Sequence, residues 1–367
     1  MPVLDAVQTF AGITNENEFY SHHYLAEVFK GDIKDRLAAW DADEAQHPGD
    51  DAHRAPHKRL QAWAQRSRQF AQRGKDEHER WQAFMQIQAG LLQALGYAAP
   101  PATAALRELA PGQPLPIWAL LGQSSGAGQT YRLAIIPAYQ PSREDDDLLD
   151  HQLTAFHYGS EPLPPHVKGE AWADLLSDAV FGADNPPRYV LLLGLDEWLL
   201  LDRYKWPNNR ALRFDWADIL DRKDADTLKA CAALLHKDCL TPGEGSSLLE
   251  SLDENAHKHA FGVSEDLKYA LREAIELLGN EAARQLDEQA TGSKKSVYSG
   301  QYKLDAGELS LECLRMVYRL LFMFYIEARP ELGYVPIHKS EVYLKGYSLE
   351  SLRDLELQPL NTPQSRE

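Results

Sequence analysis

Tyr189–Leu201 reads YVLLLGLDEWLLL, and no other part of this 367-residue chain is so plainly strand-like. Two further strand candidates precede it, Ile117–Leu121 and Tyr131–Pro137. They are separated by GQSSGAGQT, which has the composition of a hairpin loop. The first 95 residues read as helical, and after Asp202 the chain turns through RYKWPNNR and reads as helical from there on, so the expected fold class is α+β and mostly α. A small α/β domain then lies between two helical regions. The boundaries expected are 1–95 for a helical N-terminal region, 96–214 for the α/β domain, 215–345 for a helical connector bundle, and 346–367 for a tail.

Working outward toward the C-terminus, Ser264 is placed to cap a helix. Leu267, Ala270, Leu271, Ala274, Ile275 and Leu278 follow helical spacing there, and Gly279 offers a stop. Leu309–Arg329, LSLECLRMVYRLLFMFYIEAR, is the most apolar segment. Glu312, Arg315, Arg319, Glu327 and Arg329 interrupt it, so it does not meet the ~20 apolar residues a membrane span needs. With apolar residues on nearly all faces it is expected to be a buried core helix, packed on helices near Leu228–Leu235 and Leu267–Leu278. Any remaining exposed face is expected to dock a partner.

Toward the N-terminus, Thr14 and Asn15 are read as caps of a helix over Glu16–Trp40, and Asp41–Pro56 as a polar loop. A second helical pattern runs from His57 to Leu95, with a break expected at Gly74. Between Arg54 and Arg80 this segment carries eight Lys/Arg against three acids. Such a segment is either a solvated helix face or a contact for a nucleic-acid backbone, where clustered cations gain affinity by releasing condensed counterions. The candidate DNA contacts are Lys58, Arg59, Arg66, Arg68 and Arg73 here. To these are added Arg203, Lys205 and Arg210 of RYKWPNNR and Lys294 and Lys295 of a basic loop.

A net charge of −17 argues against a whole-surface nucleic-acid binder, and 44% hydrophobic with 25% charged residues is ordinary for a folded globular chain. Three cysteines with no CxxC pair fit a reducing compartment, so a cytoplasmic location and no membrane partner are expected. His22 and His23 are adjacent and point to different sides of a helix, and His257 and His259 lack further ligands nearby in sequence; no metal ligands are nominated. The acidic run Ser142–Asp150 is a solvated loop or a divalent-ion site. Asn185-Pro186-Pro187-Arg188-Tyr189 looks like an adenine methyltransferase tetrad, but Arg188 intrudes and no glycine-rich cofactor turn precedes it. A rigid entry into the strand at Tyr189 accounts for it better.

Several stretches carry a resemblance: NENEFYSHHYL from Asn15, LGYAAPP from Leu95, VLLLGLDEWLLLDRYKWPNNRALRFDW from Val190, SEDLKYALREAIELLGNE from Ser264, YRLLFMFYIEARPELGYVPI from Tyr318, and GYSLESLRDLE from Gly346. In this order the chain resembles the N-terminal region of large adenine-specific DNA methyltransferases of type IIG restriction-modification and phage-defence systems. The resemblance implies that the α/β part is a PD-(D/E)xK nuclease-like domain. It also implies that S-adenosylmethionine is used by a methyltransferase module this sequence does not contain. No carboxylate or lysine stands in Ile117–Leu121 or Leu133–Tyr139, the strands that would carry the Mg²⁺ ligands, so the nuclease-like domain is expected to be degenerate. The chain is therefore expected to be a non-catalytic region that positions DNA, the methyltransferase module or other defence subunits, with no cofactor of its own. Two alternatives stand beside this: a Mg²⁺-dependent nuclease using Glu144–Asp147, or an assembly subunit without DNA contact.

Overall fold

The computed structural model describes residues 9–71, 76–100, 105–125, 128–139, 147–158, 162–292, 304–328, 333–337 and 340–349. The chain divides into two units, Gln8–Ala260 and Met1–Val7 with Phe261–Glu367. The boundaries expected at 95/96 and 214/215 both fall inside the first unit, because its sheet and core draw on all three segments.

The strands of the first unit's large sheet are β1 (Ile13–Glu16), β4 (Ala119–Ser125), β5 (Gly128–Pro137), β6 (Tyr189–Leu193), β7 (Glu197–Asp202) and β8 (Ala211–Asp215). They lie in the order β1-β8-β7-β6-β5-β4, and β5 with β6 is the parallel pair. A two-stranded ribbon, β2 (Ala105–Glu108) with β3 (Pro114–Ile117), stands apart from it. The fold class is α+β, as expected. Tyr189–Leu201 is a hairpin rather than one strand: Gly194 N donates to Glu197 O at 2.8 Å, and Tyr189 pairs with Asp202 in an antiparallel ladder. A Cβ on Gly194 would lie 3.1 Å from the Leu148 side chain, so the turn stays narrow enough for Leu148 to pack on it.

The apolar run has no polar alternation because both faces of these strands are covered. Tyr189, Leu191, Leu193, Trp198, Leu200, Leu212 and Phe214 enter one core, and Val190, Leu192, Leu199, Leu201 and Ala211 enter the other. Helices cover the first core, among them α3 (Pro56–Ala71), α4 (Glu77–Ala94) and α7 (Ala225–Leu235), which contribute Leu60, Phe84, Leu91, Leu92, Leu228 and Leu234. The connection between β5 and β6 covers the second with Leu148, Leu153, Val167, Leu176 and Val180. Its short helix α5 (Trp172–Leu175) adds a fully buried Trp172. Each such side chain stabilises the fold by roughly 1.5–3 kcal/mol through removal of apolar surface from water.

Several local expectations are corrected. Thr14 and Asn15 stand in β1, and the helix expected over Glu16–Trp40 gives way to a π-helical turn at Tyr24–Val28, a one-turn α1 (Phe29–Asp32) and α2 (Lys34–Gln46). The Asn15 side chain donates to Tyr20 O at 2.6 Å and accepts from Tyr20 N, closing a loop in which Asn17 and Glu18 adopt positive φ. That loop chemistry and the distant partner β8 override helical spacing. α2 also consumes the first half of the expected loop after Asp41.

Helices α3 and α4 are separate, as expected, and Gly74 lies outside the described residues. β8 stands where a turn and helices were expected, and Asp215 leads directly into α6 (Trp216–Arg222) by accepting a cap bond from Asp218 N at 3.0 Å. A short α8 (Lys237–Leu240) follows α7.

Ser264 and Gly279 do not bound a helix. Both lie inside α9 (Leu248–Gly292), which runs through a serine and a glycine without a break. The second unit also contains α10 (Ala306–Ala328) and α11 (Glu341–Gly346). Among the described residues no helix is long and apolar enough to cross a membrane.

Candidate functional site

Arg213 lies on β8 between two strands that each bring an acid. Its Nε donates to Glu16 of β1 at 2.6 Å and its Nη1 to Glu197 of β7 at 2.7 Å. Nη2 lies 2.9 Å from both oxygens of Asp147, which comes from the β5–β6 connection. Burial opposes the charge of Arg213, but the flanking Glu16 and Glu197 outweigh it and hold the guanidinium firmly protonated. Burial pushes the Glu197 carboxyl up, and Arg213 draws it back.

Asp147 is the described end of the acidic run considered as a divalent-ion site; Glu144, Asp145 and Asp146 lie outside the described residues. A guanidinium occupies the point where the three described carboxylates converge. For these residues the arrangement is an ion-pair knot and offers a metal no open coordination position. Sequence reasoning missed the knot, since Glu16 was placed on a helix and Arg213 lay in a strand not foreseen.

The RYKWPNNR segment forms a second ionic cluster. Asp202, at the end of β7, is buried; it accepts from Arg188 Nη2 at 2.8 Å and from Tyr204 N at 2.8 Å. Lys205 is buried too. Its Nζ is 2.5 Å from Asp253 of α9, donates to Phe19 O at 2.6 Å, and lies 4.2 and 4.3 Å from the Phe19 and Tyr20 ring centroids. Burial lowers its pKa, and Asp253 opposes that.

The exposed Tyr204 ring lies between two guanidinium groups, 4.1 Å from Arg188 and 4.7 Å from Arg203, and its hydroxyl accepts from Arg203 at 2.7 Å. The hydrogen bond from Arg203 lowers the Tyr204 pKa. Two guanidinium groups gathered at an exposed phenol ring, on the loop that also carries the half-buried Arg210, can receive an anion.

The expected DNA contacts therefore separate. Arg203, Lys205 and Arg210 share one loop, but the charge of Lys205 is spent on Asp253. Lys58 is bound to Asp41 at 3.0 Å and Glu44 at 2.7 Å, so its charge is also balanced internally. Arg59 is half-buried on α3, with Nη2 3.5 Å from Nε2 of His236 and a buried Nε that has no partner. For Arg66 and Arg68 the structure describes only the α3 backbone, and Arg73, Lys294 and Lys295 lie outside the described residues.

The second unit presents a different kind of surface. The expectation of a buried α10 is corrected, because among the described residues only one side of it is covered. Cys313 and Val317 are buried, Leu320 and Phe324 half-buried, and a Cβ on Gly279 of α9 would stand 3.8 Å from the Cys313 sulfur. The other side carries Leu311, Leu314, Tyr318, Leu321 and Tyr325, spaced three and four apart. These remain exposed, Tyr318 by 69% and Tyr325 by 53%. A helix with apolar stripes on two faces meets its all-round apolar composition from both sides, and the outer stripe has the seam spacing of a helix–helix contact.

At the end of α10 the buried Glu327 accepts from Tyr343 Oη at 2.9 Å, Ser348 Oγ at 3.0 Å and Leu349 N at 3.0 Å. These bonds tie α11 and the start of the tail to α10. Comparison with known protein families, with curated proteins and with solved structures finds no match to this chain.

Proposed function

We propose that this chain is the non-catalytic N-terminal region of an adenine-specific DNA methyltransferase of the restriction-modification or phage-defence type, acting in the cytoplasm to position a methyltransferase module. S-adenosylmethionine chemistry belongs to that module. The observation that carries the reading is the exposed apolar stripe Leu311, Leu314, Tyr318 and Leu321 on α10, which runs into the stretch from Tyr318 that carries the resemblance. The Arg213 knot supports the non-catalytic part, because its guanidinium occupies the point where Asp147, the described acid of Glu144–Asp147, meets Glu16 and Glu197.

DNA contact in this reading falls to Arg203 and Arg210 around Tyr204, with Arg59, Arg66, Arg68, Arg73, Lys294 and Lys295 as the remaining candidates from the sequence. The decisive experiment is association of this chain with a separately produced adenine methyltransferase module encoded beside it, followed by light scattering. A one-to-one complex that Leu314→Asp with Tyr318→Asp dissociates supports the proposal. A chain that stays monomeric in the mixture, or a complex indifferent to both substitutions, overturns it.

A further inference from the structure

Where α2 ends, the chain turns through Pro48 and Gly49 and returns into α3, and the turn brings three metal-ligating side chains together. Asp43 stands on the last turn of α2 and His47 four residues on, so both share one face. His53 arrives from the returning side. Its Nδ1 is 2.9 Å from Asp43 Oδ2, and Nδ1 of His47 is 3.4 Å from Asp43 Oδ1. The two imidazoles stack with centroids 3.8 Å apart and planes 18° from parallel. One ligand atom from each residue lies within 4.8 Å of the others, and all three side chains reach solvent.

We infer that Asp43, His47 and His53 bind a borderline divalent transition metal, of which Zn²⁺ is the reference ion, with water completing the coordination. Tetrahedral bonds of ~2.0–2.1 Å set neighbouring ligand atoms about 3.3 Å apart; His53 Nδ1 and His47 Nδ1 stand 2.9 and 3.4 Å from the two different oxygens of Asp43, and a turn of the stacked, solvent-reaching rings brings both nitrogen lone pairs onto one ion. Two nitrogens and one carboxylate oxygen select Zn²⁺, Co²⁺, Ni²⁺ or Cu²⁺ over Mg²⁺ and Ca²⁺, which take oxygen ligands.

The loop is also held in place by bonds that do not use the ligands. Glu44 accepts from Ala55 N at 3.3 Å and from Lys58 Nζ at 2.7 Å, Lys58 reaches Asp41, and His53 N donates to Asp50 O at 3.1 Å. A pre-formed loop of this kind lowers the ordering cost of metal capture. A simple Asp–His pair would account for one imidazole against Asp43. The second imidazole is held in the absence of metal by a hydrogen bond from His47 Nδ1 to the Asp43 carbonyl, 3.0 Å away, which an incoming ion replaces.

The test is Zn²⁺ titration of the full chain by calorimetry, with Co²⁺ absorption reporting coordination number. The expected result is one ion per chain with a tetrahedral Co²⁺ spectrum, at least tenfold weaker binding in His47→Ala and in His53→Ala, and no heat with Mg²⁺. Both variants should keep the metal-free thermal midpoint of the parent, which shows that they fold. Absence of Zn²⁺ binding at 100-fold excess over protein, or stoichiometric binding undiminished in the double His47→Ala, His53→Ala variant, overturns the site. A loss of midpoint in the metal-free variants, equal in size to any loss of binding, would also overturn it, by assigning the cluster to loop structure alone.

Discussion

The main-chain amide of Tyr139 donates a hydrogen bond to Nε2 of His157 at 3.0 Å, joining the end of β5 to a buried helical turn of the β5–β6 connection. An accepting Nε2 requires a neutral ring, with Nδ1 3.1 Å from the carbonyl of Thr154. Desolvation lowers the His157 pKa to about 4 from the ordinary 6.5.

The sign of the resulting pH dependence follows from proton uptake. Between about 4 and 6.5 the unfolded chain binds the proton and the folded one does not, so stability rises with pH through that window and is lost as pH falls through it. A shift of this size corresponds to about 3 kcal/mol. His236, lowered to about 4 by burial, acts in the same direction, whereas Glu197 and Asp202, raised by burial, act in the opposite one. The contribution of His157 is therefore isolated by difference. Urea unfolding of the parent and of His157→Gln at pH 7 and pH 5 should show the gap between them narrowing at pH 5.

Gln88 of α4 makes two buried bonds to the β6–β7 hairpin: its Oε1 accepts from Trp198 Nε1 at 2.6 Å, and its Nε2 donates to Gly194 O at 2.9 Å. Gln88→Leu strands both partners away from water. The expected loss is about 2–4 kcal/mol, read as a lower urea midpoint with an unchanged slope.

Removing the cation of the Arg213 knot separates two readings. Arg213→Leu leaves Glu16, Glu197 and Asp147 facing one another and should destabilise the fold by about 2–4 kcal/mol at pH 7, discounted from the fully buried case because the carboxylates are partly exposed. The loss should shrink as pH falls, because burial pushes the Glu197 carboxyl up and without Arg213 nothing draws it back. If millimolar Mg²⁺ restores the parent midpoint in this variant and confers plasmid nicking, the knot is a masked metal site and the non-catalytic reading fails.

In the second unit, Glu327→Leu removes the acceptor shared by Tyr343, Ser348 and Leu349. Tryptic cleavage after Lys345, on α11, should accelerate at least tenfold while cleavage within Gln8–Ala260 keeps its rate. Equal rates in parent and variant at Lys345 would show that α11 is held by other contacts.

How much of this was legible in the residues depends on the range of the interaction. The apolar strands Tyr131–Pro137 and Tyr189–Leu201, the separate helices α3 and α4, and α7 could be read because burial on a sheet or helix face imprints a local pattern. β1 and β8 could not: ITNE and ALRFD are short and carry polar residues, and β8 becomes a strand against β7 and β1 against β8. The hairpin turn at Gly194 was hidden by apolar residues on both sides of it. Ser264 and Gly279 looked like helix boundaries because cap residues are also tolerated inside a long helix. The ionic clusters escaped for the same long-range reason. Glu16 meets Arg213, and Lys205 meets Asp253 and Phe19 O, through a tertiary fold that no spacing rule encodes. Metal-ligand spacing, by contrast, was present in Asp43-x3-His47, and the return of His53 was the part that needed coordinates.

The pairing of Ile13 with Phe214 also sets a schedule for synthesis. About 200 residues separate the two, and at ~5–20 residues per second the first strand waits some 10–40 s after leaving the ribosome for the edge it completes. Until β8 emerges, Phe10, Phe19, Tyr20 and Phe29, all buried in the finished core, lack the strand that joins β1 to the sheet. β1 is thus paired long after it is made, and the yield of folded Gln8–Ala260 in the cell should respond to translation speed and to chaperone supply.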